Sequence, residues 1–135
     1  MDISKIRKMI KELSLERFKA EMEMLRTYSR KKMLYGSVVK KYKACGKGGC
    51  KCTKGLLHGP FYYLTFKEGK KTRMIFIKKN LWDKAIKLND NYRKWRKLRA
   101  DISKISKEIL ILLDEIEKEN TVGIDDIDKK GNDRE

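Results

Sequence analysis

No run of apolar residues in this chain approaches the length that spans a bilayer, and residues 1–18 lack the continuous apolar segment of a signal peptide. These absences predict a cytoplasmic protein with no membrane partner. Cysteine is scarce and odd in number, three in all, with two of them separated by a single residue. That excludes a paired disulfide framework and leaves thiols that stay reduced inside a cell. Histidine occurs once, and no paired carboxylates or nucleophile motif accompany it, so neither an enzyme nor a small-molecule substrate is expected. The remaining enzymatic reading is a redox thiol at Cys50-Lys51-Cys52, because nearby lysines lower a thiol pKa.

Acidic side chains are also in short supply, 19 against 35 Lys and Arg, for a net charge of +16 and a pI near 9.8. A polyanion is the default partner of such a chain, since neutralising phosphates releases condensed counterions. The imbalance is concentrated: residues 36–80 hold twelve basic side chains and one acidic, residues 81–101 seven and three, residues 1–35 ten and five, and residues 102–135 six and ten. Function is therefore expected in the middle of the chain, and phosphate would repel its C-terminal end. Hydrophobic and charged residues each make up 40%, a balance typical of amphipathic helices around a small core, and 135 residues allow one modest domain with appendages.

Asp2 can cap a helix bearing Ile3, Ile6, Ile10 and Leu13, and Ser14 reads as a second N-cap before Phe18, Met22, Leu25 and Met33. Residues 1–35 thus form a helical N-terminal arm, kinked near Ser14 and closed by Gly36. Residues 37–43 read as a strand, and 60–66 and 72–77 as a hairpin across Lys67-Glu68-Gly69-Lys70-Lys71. Residues 36–79 then make a three-stranded antiparallel β-module, small enough to need a staple. Residues 81–119 contain neither Pro nor Gly, and Asn80 or Asp83 can start one long amphipathic helix over 80–119. Its distal apolar residues Leu98, Ile102, Ile105, Ile109, Leu112 and Ile116 repeat like a seam, whose partner is either the N-terminal arm, giving a helical hairpin, or a second copy, giving a coiled-coil homodimer. Residues 120–135 form an acidic tail with little to bury, expected to be disordered. The fold class is α+β.

Cys45, Cys50, Cys52 and His58 follow the spacing C-x4-C-x-C-x5-H within fourteen residues, among four glycines that let the chain wrap a small ion. Zinc favours tetrahedral thiolate and imidazole coordination, and four ligands close the site, so structural zinc is the expected cofactor. Three cysteines are one too few for ordinary iron–sulfur ligation. The bland alternative is that three reduced cysteines pack in a small core and His58 caps a turn before Pro60.

The stretch Gly36-Ser37-Val38, Cys45-Gly46-Lys47, Cys50-Lys51-Cys52, Gly55, His58-Gly59-Pro60-Phe61-Tyr62-Tyr63-Leu64 and Gly69-Lys70 resembles a family of short prokaryotic proteins of unknown function. Its members share a C-G-K-x-x-C-x-C-x-x-G-x-x-H-G-P-[FY]-[FY]-Y core followed by a long helix with a Tyr-Arg and Leu-Arg rich start, here residues 91–99. The resemblance covers about 36–115 and implies that the cysteine core works as a unit. It implies no activity.

Lys47, Lys51 and Lys54 interleave the metal ligands, Lys40, Lys41 and Lys43 precede them, and Lys70, Lys71 and Arg73 follow on the hairpin. Arg93, Lys94, Arg96, Lys97 and Arg99 form a second basic stretch, expected to join the first in one phosphate-binding surface, although a solvated helix face explains most such runs. With Phe61 and Tyr63 expected in the core and Tyr62 at the contact, the module suits RNA or single-stranded nucleic acid somewhat better than duplex DNA. The competing expectation is a protein-interaction or assembly factor working through the long helix, with zinc purely structural.

Overall fold

A computed structural model describes residues 2–44 and 46–128, the side chains of Cys52 and Thr53 excepted. The chain divides into two compact units: residues 26–97, and residues 1–25 together with 98–135.

In the second of these, α1 (Ile3–Glu23) begins where Asp2 accepts a hydrogen bond from the Ser4 amide at 3.1 Å, the expected cap. The expected second start at Ser14 is absent. An N-cap serine must leave helical geometry, and with no proline or glycine before residue 36 nothing here forces that, so α1 runs through Ser14 unbroken. The helical path widens into a π-turn at Met24–Tyr28 and ends there, well before Gly36. Ile6 of α1 and Ile109 and Leu112 of the seam are buried in this unit, and Glu16 and Ala20 of α1 line a cavity with Asp101, Lys104, Ile105 and Glu108, so the arm lies beside the seam. In the tail, Ile124–Ile127 form one helical turn, α3, begun by an Asp126 carboxylate that accepts from the Gly123 amide at 3.1 Å. The rest of the tail beyond residue 128 lies outside the described residues.

The other unit holds β1 (Ser37–Lys43), β2 (His58–Glu68) and β3 (Lys71–Phe76), antiparallel in the order β1-β2-β3. Their boundaries fall close to those read from β-branched and aromatic runs. After a 3-10 turn at Lys79–Leu81 comes α2 (Trp82–Asn120), with Asp83 in the first turn, where a negative charge meets the unpaired amides. The first part of α2, to Lys97, covers one face of the sheet. Tyr62 packs edge-on against Trp82 at 4.8 Å, and the Trp82 indole donates to the Ile77 carbonyl at 2.7 Å. Tyr35 bridges Phe66 and Tyr92 at 6.2 and 5.6 Å.

A polar clamp completes this contact. Asn89, 3% exposed, donates to the carbonyls of Leu34 and Gly36 at 3.0 and 2.7 Å and accepts from the Val38 amide at 3.1 Å. Buried Asn91 donates to the Lys32 carbonyl at 3.2 Å. The segment leading into β1 is thus tied to α2 by side-chain bonds, because it has no helix or ladder of its own. Gly36 is required within it, not as a helix terminator: its φ is +108, and an added Cβ would lie 2.4 Å from the Thr65 carbonyl oxygen.

Candidate metal centre and nucleic-acid interface

The cysteine loop leaves the sheet between Lys43, the last residue of β1, and His58, the first of β2, which face each other across the ladder. A bulge between Lys41 and Lys43 bends this end of the sheet. Gly59 makes the bend possible. With φ +143, it leaves no room for a Cβ, which would sit 2.8 Å from the Tyr42 ring and 2.9 Å from the Lys41 carbonyl oxygen. His58 is thereby held at the rim of the sheet. Across the loop, the Cys50 amide approaches the Lys47 carbonyl at 3.5 Å, and a 3-10 turn follows at Lys51–Lys54.

Cys50 Sγ and His58 Nε2 lie 3.1 Å apart. Two ligands of one tetrahedral zinc, at the usual Zn–S and Zn–N lengths, would sit about 3.5 Å apart, so this pair needs only a small opening to share an ion. They line a cavity of about 340 Å³ together with Lys43, Ala44, Lys47 and Phe61. Cys45 and the side chain of Cys52, the other two expected ligands, lie outside the described residues. Among the described residues, no group of three or more His, Cys, Asp or Glu side chains is placed to hold a metal ion.

Strand alternation sorts the aromatic residues by face. Tyr62, Leu64 and Phe66 point to α2, whereas Phe61 and Tyr63, expected in the core, point to the opposite face. There Phe76 joins them, with ring centroids 6.4 Å from Phe61 and 5.6 Å from Tyr63. Among the described residues, no helix of this unit packs over that face, and Phe76 and Met74 are 50% and 47% exposed. Tyr62, expected at the contact, is half-buried against Trp82.

Lys41 and Lys43 belong to the open face. Lys43 Nζ lies 5.3 Å from the Phe61 ring and 5.1 Å from the Tyr63 ring and donates to the Tyr63 hydroxyl. Lys41 Nζ is 5.8 Å from the Tyr63 ring and 3.6 Å from Met74 Sδ. Lys47 lines the cavity, and Lys51 and Lys54 sit exposed on the 3-10 turn. Lys40, on the α2 side of β1, has its pKa raised by a hydrogen bond with Tyr42, then by the charges of Tyr42 and Tyr62. At the hairpin end, Lys70 and Lys71 are exposed, and Arg73 lies over Phe66 and pairs with Glu68 at 2.8 Å. Arg93, Lys94, Arg96 and Lys97 are exposed on the α2 side of the sheet, with Lys94 paired to Asp90 at 3.0 Å. The basic helix stretch and the open-face lysines are therefore on different sides of the sheet and do not form the single surface expected, and Arg99 falls in the other unit.

Sequence reasoning missed Phe76, Met74 and Asn89. The first two were legible in the period-two alternation of Thr72, Met74 and Phe76 against Arg73 and Ile75. Asn89 left only a weaker sign, a polar residue one step from the apolar stripe at Leu88 and Tyr92.

A family model described as Domain of unknown function (DUF6788) matches residues 7–86. The match takes in most of α1, the whole sheet and the cysteine loop, and the first residues of α2. It begins and ends earlier than the 36–115 of the sequence resemblance. No curated protein matches the chain, and no solved structure does. No described helix is long and apolar enough to cross a membrane.

Proposed function

We propose, for a chain that belongs to this domain family of unknown function and takes no activity from it, a cytoplasmic nucleic-acid-binding protein built around a structural zinc ion. One observation carries the nucleic-acid reading. Residues 36–80 hold twelve basic side chains and one acidic, and that acid, Glu68, is committed to Arg73. A β-module with so little internal neutralisation favours a polyanion, and each lysine that meets a phosphate releases a counterion. The zinc reading rests on the approach of Cys50 Sγ to His58 Nε2 within the C-x4-C-x-C-x5-H spacing. In it, Cys45, Cys50, Cys52 and His58 hold the ion and fix the loop that displays Lys47, Lys51 and Lys54. The ion's role is to fold the loop, and no catalytic step is assigned to it.

The test has two parts on the full chain. Metal analysis of protein purified without added metal is expected to give stoichiometric zinc, and fluorescence anisotropy with labelled oligonucleotides is expected to give binding that weakens steeply with salt. Absence of metal together with indifference to chelators overturns the zinc centre. Absence of binding to RNA and to DNA at low salt overturns the nucleic-acid reading.

A second reading is supported by apolar side chains exposed on the distal part of α2, with Leu110 and Ile111 at 58% and 61%. Such a patch suits a partner protein or a second copy. Sedimentation separates the two: a salt-resistant oligomer without nucleic-acid affinity favours assembly.

A further inference from the structure

Both faces of the sheet carry apolar side chains, and α2 covers one of them. Apolar and aromatic side chains left on an open face cost solubility unless something occupies them. Here Phe76, 50% exposed, has its ring against those of Phe61 and Tyr63. Along the same face, on the neighbouring strand, stand Lys41 and Lys43, with their amines over the rings. Among the described residues, no ion pair neutralises either amine.

Resting on the nucleic-acid reading above, we infer that this open face is a platform for a single strand, with unpaired bases stacking on Phe61, Tyr63 and Phe76 and phosphates held by Lys41 and Lys43. The chemistry is specific to unpaired bases. A ring can stack on a base only when the base has left its own stack, and among the described residues no helix of this unit lies on that face to enter a major groove. Every base offers a π-face, so the platform tolerates many sequences. The lysines' long stems let each amine leave a ring for a phosphate while the stem stays packed. The face adjoins the cysteine loop through Phe61, which also lines the cavity with Lys47, Cys50 and His58. A strand crossing the rings thus runs toward the loop's cations. Tyr62 has no part in this platform because its ring packs on Trp82.

The test compares a labelled oligouridine of about twelve nucleotides, within the site sizes usual for such surfaces, with a duplex of equal length. Anisotropy measures their binding to the wild-type chain and to Phe76→Leu, Tyr63→Leu and Phe76→Trp. Leucine keeps the apolar bulk and removes the ring, and matching circular dichroism melts establish that each variant is folded. Each leucine variant is expected to bind oligouridine about 5- to 150-fold more weakly, the range for losing one base–aromatic stack. Phe76→Trp is expected to bind as wild type and to show tryptophan quenching on oligouridine addition. Leucine variants that bind as tightly as wild type overturn the platform and leave the nucleic-acid reading standing. A wild-type preference for duplex, or displacement of oligouridine by polyglutamate at equal charge, also overturns the platform. If the wild type binds neither oligonucleotide at low salt, the broader reading falls and the platform with it.

Discussion

Asn89 offers the sharpest test of how the sheet is held in place. Replacing it with alanine removes three hydrogen bonds at once, to the carbonyls of Leu34 and Gly36 and from the amide of Val38. Each is worth on the order of 1 kcal/mol net, and at 3% exposure the site admits little water to replace them, so the loss should be about 2–4 kcal/mol. For a unit of this size that is on the order of 10 °C in melting temperature. Asn89→Leu is a second arm: it fills a similar volume but leaves the same backbone groups unpaired, so it should lose about as much. Urea denaturation followed by far-UV circular dichroism reads both, and hydrogen exchange at the Val38 amide reports the clamp itself. A loss below about 0.5 kcal/mol, the range of ordinary surface substitutions, would refute the assignment.

Gly59→Ala should destabilise the chain by about 1–3 kcal/mol, because it forces a Cβ against Tyr42 and the Lys41 carbonyl at a φ alanine avoids; thermal melts check it, and an unchanged midpoint argues against the tight bulge. Cys50→Ser should lose stoichiometric metal and melt at lower temperature, as read by metal analysis and calorimetry; retention of full zinc would remove Cys50 from the ligand set. Replacing Lys47, Lys51 and Lys54 together with Gln should flatten the slope of log affinity against log salt by about 2 for a single strand; an unchanged slope moves the phosphate contacts elsewhere.

What the sequence revealed and what it hid follow from the range of the signals. Local signals read well: the Asp2 cap, the strand at 37–43, the hairpin and the long helix each come from neighbouring residues, and each is where the pattern put it. Ser14 misled because a cap is defined by backbone geometry that its side chain alone does not impose. The faces of β2 were ambiguous for a plainer reason. In Phe61-Tyr62-Tyr63-Leu64 both parities are apolar, so alternation could not say which set meets α2, and the answer came from Trp82, about twenty residues downstream. Asn89 was only faintly legible because its partners are backbone groups some fifty residues away, and no side-chain pattern marks a backbone carbonyl in need of a donor. The proposed metal site was legible as spacing alone, since ligand identity is local, whereas the approach of Cys50 to His58 depends on the register that pairs His58 with Lys43.

The same register ties the two proposals together. β1 is anchored at one end by Asn89, at Val38, and at the other by the pairing of Lys43 with His58. Between those points lie Lys41 and the bulge, and across from them on β2 lie Phe61 and Tyr63. A shift of β1 by one residue would turn Lys41 and Lys43 toward the α2 side and bring Lys40 to the rings, because side chains alternate along a strand. The clamp at one end and the pairing of Lys43 with His58 at the other thus guard a single quantity, the register that sets cations beside rings on the open face. On the proposals above, zinc would act by holding His58 opposite Lys43, and its loss would lower affinity through the strand, with the rings themselves unchanged.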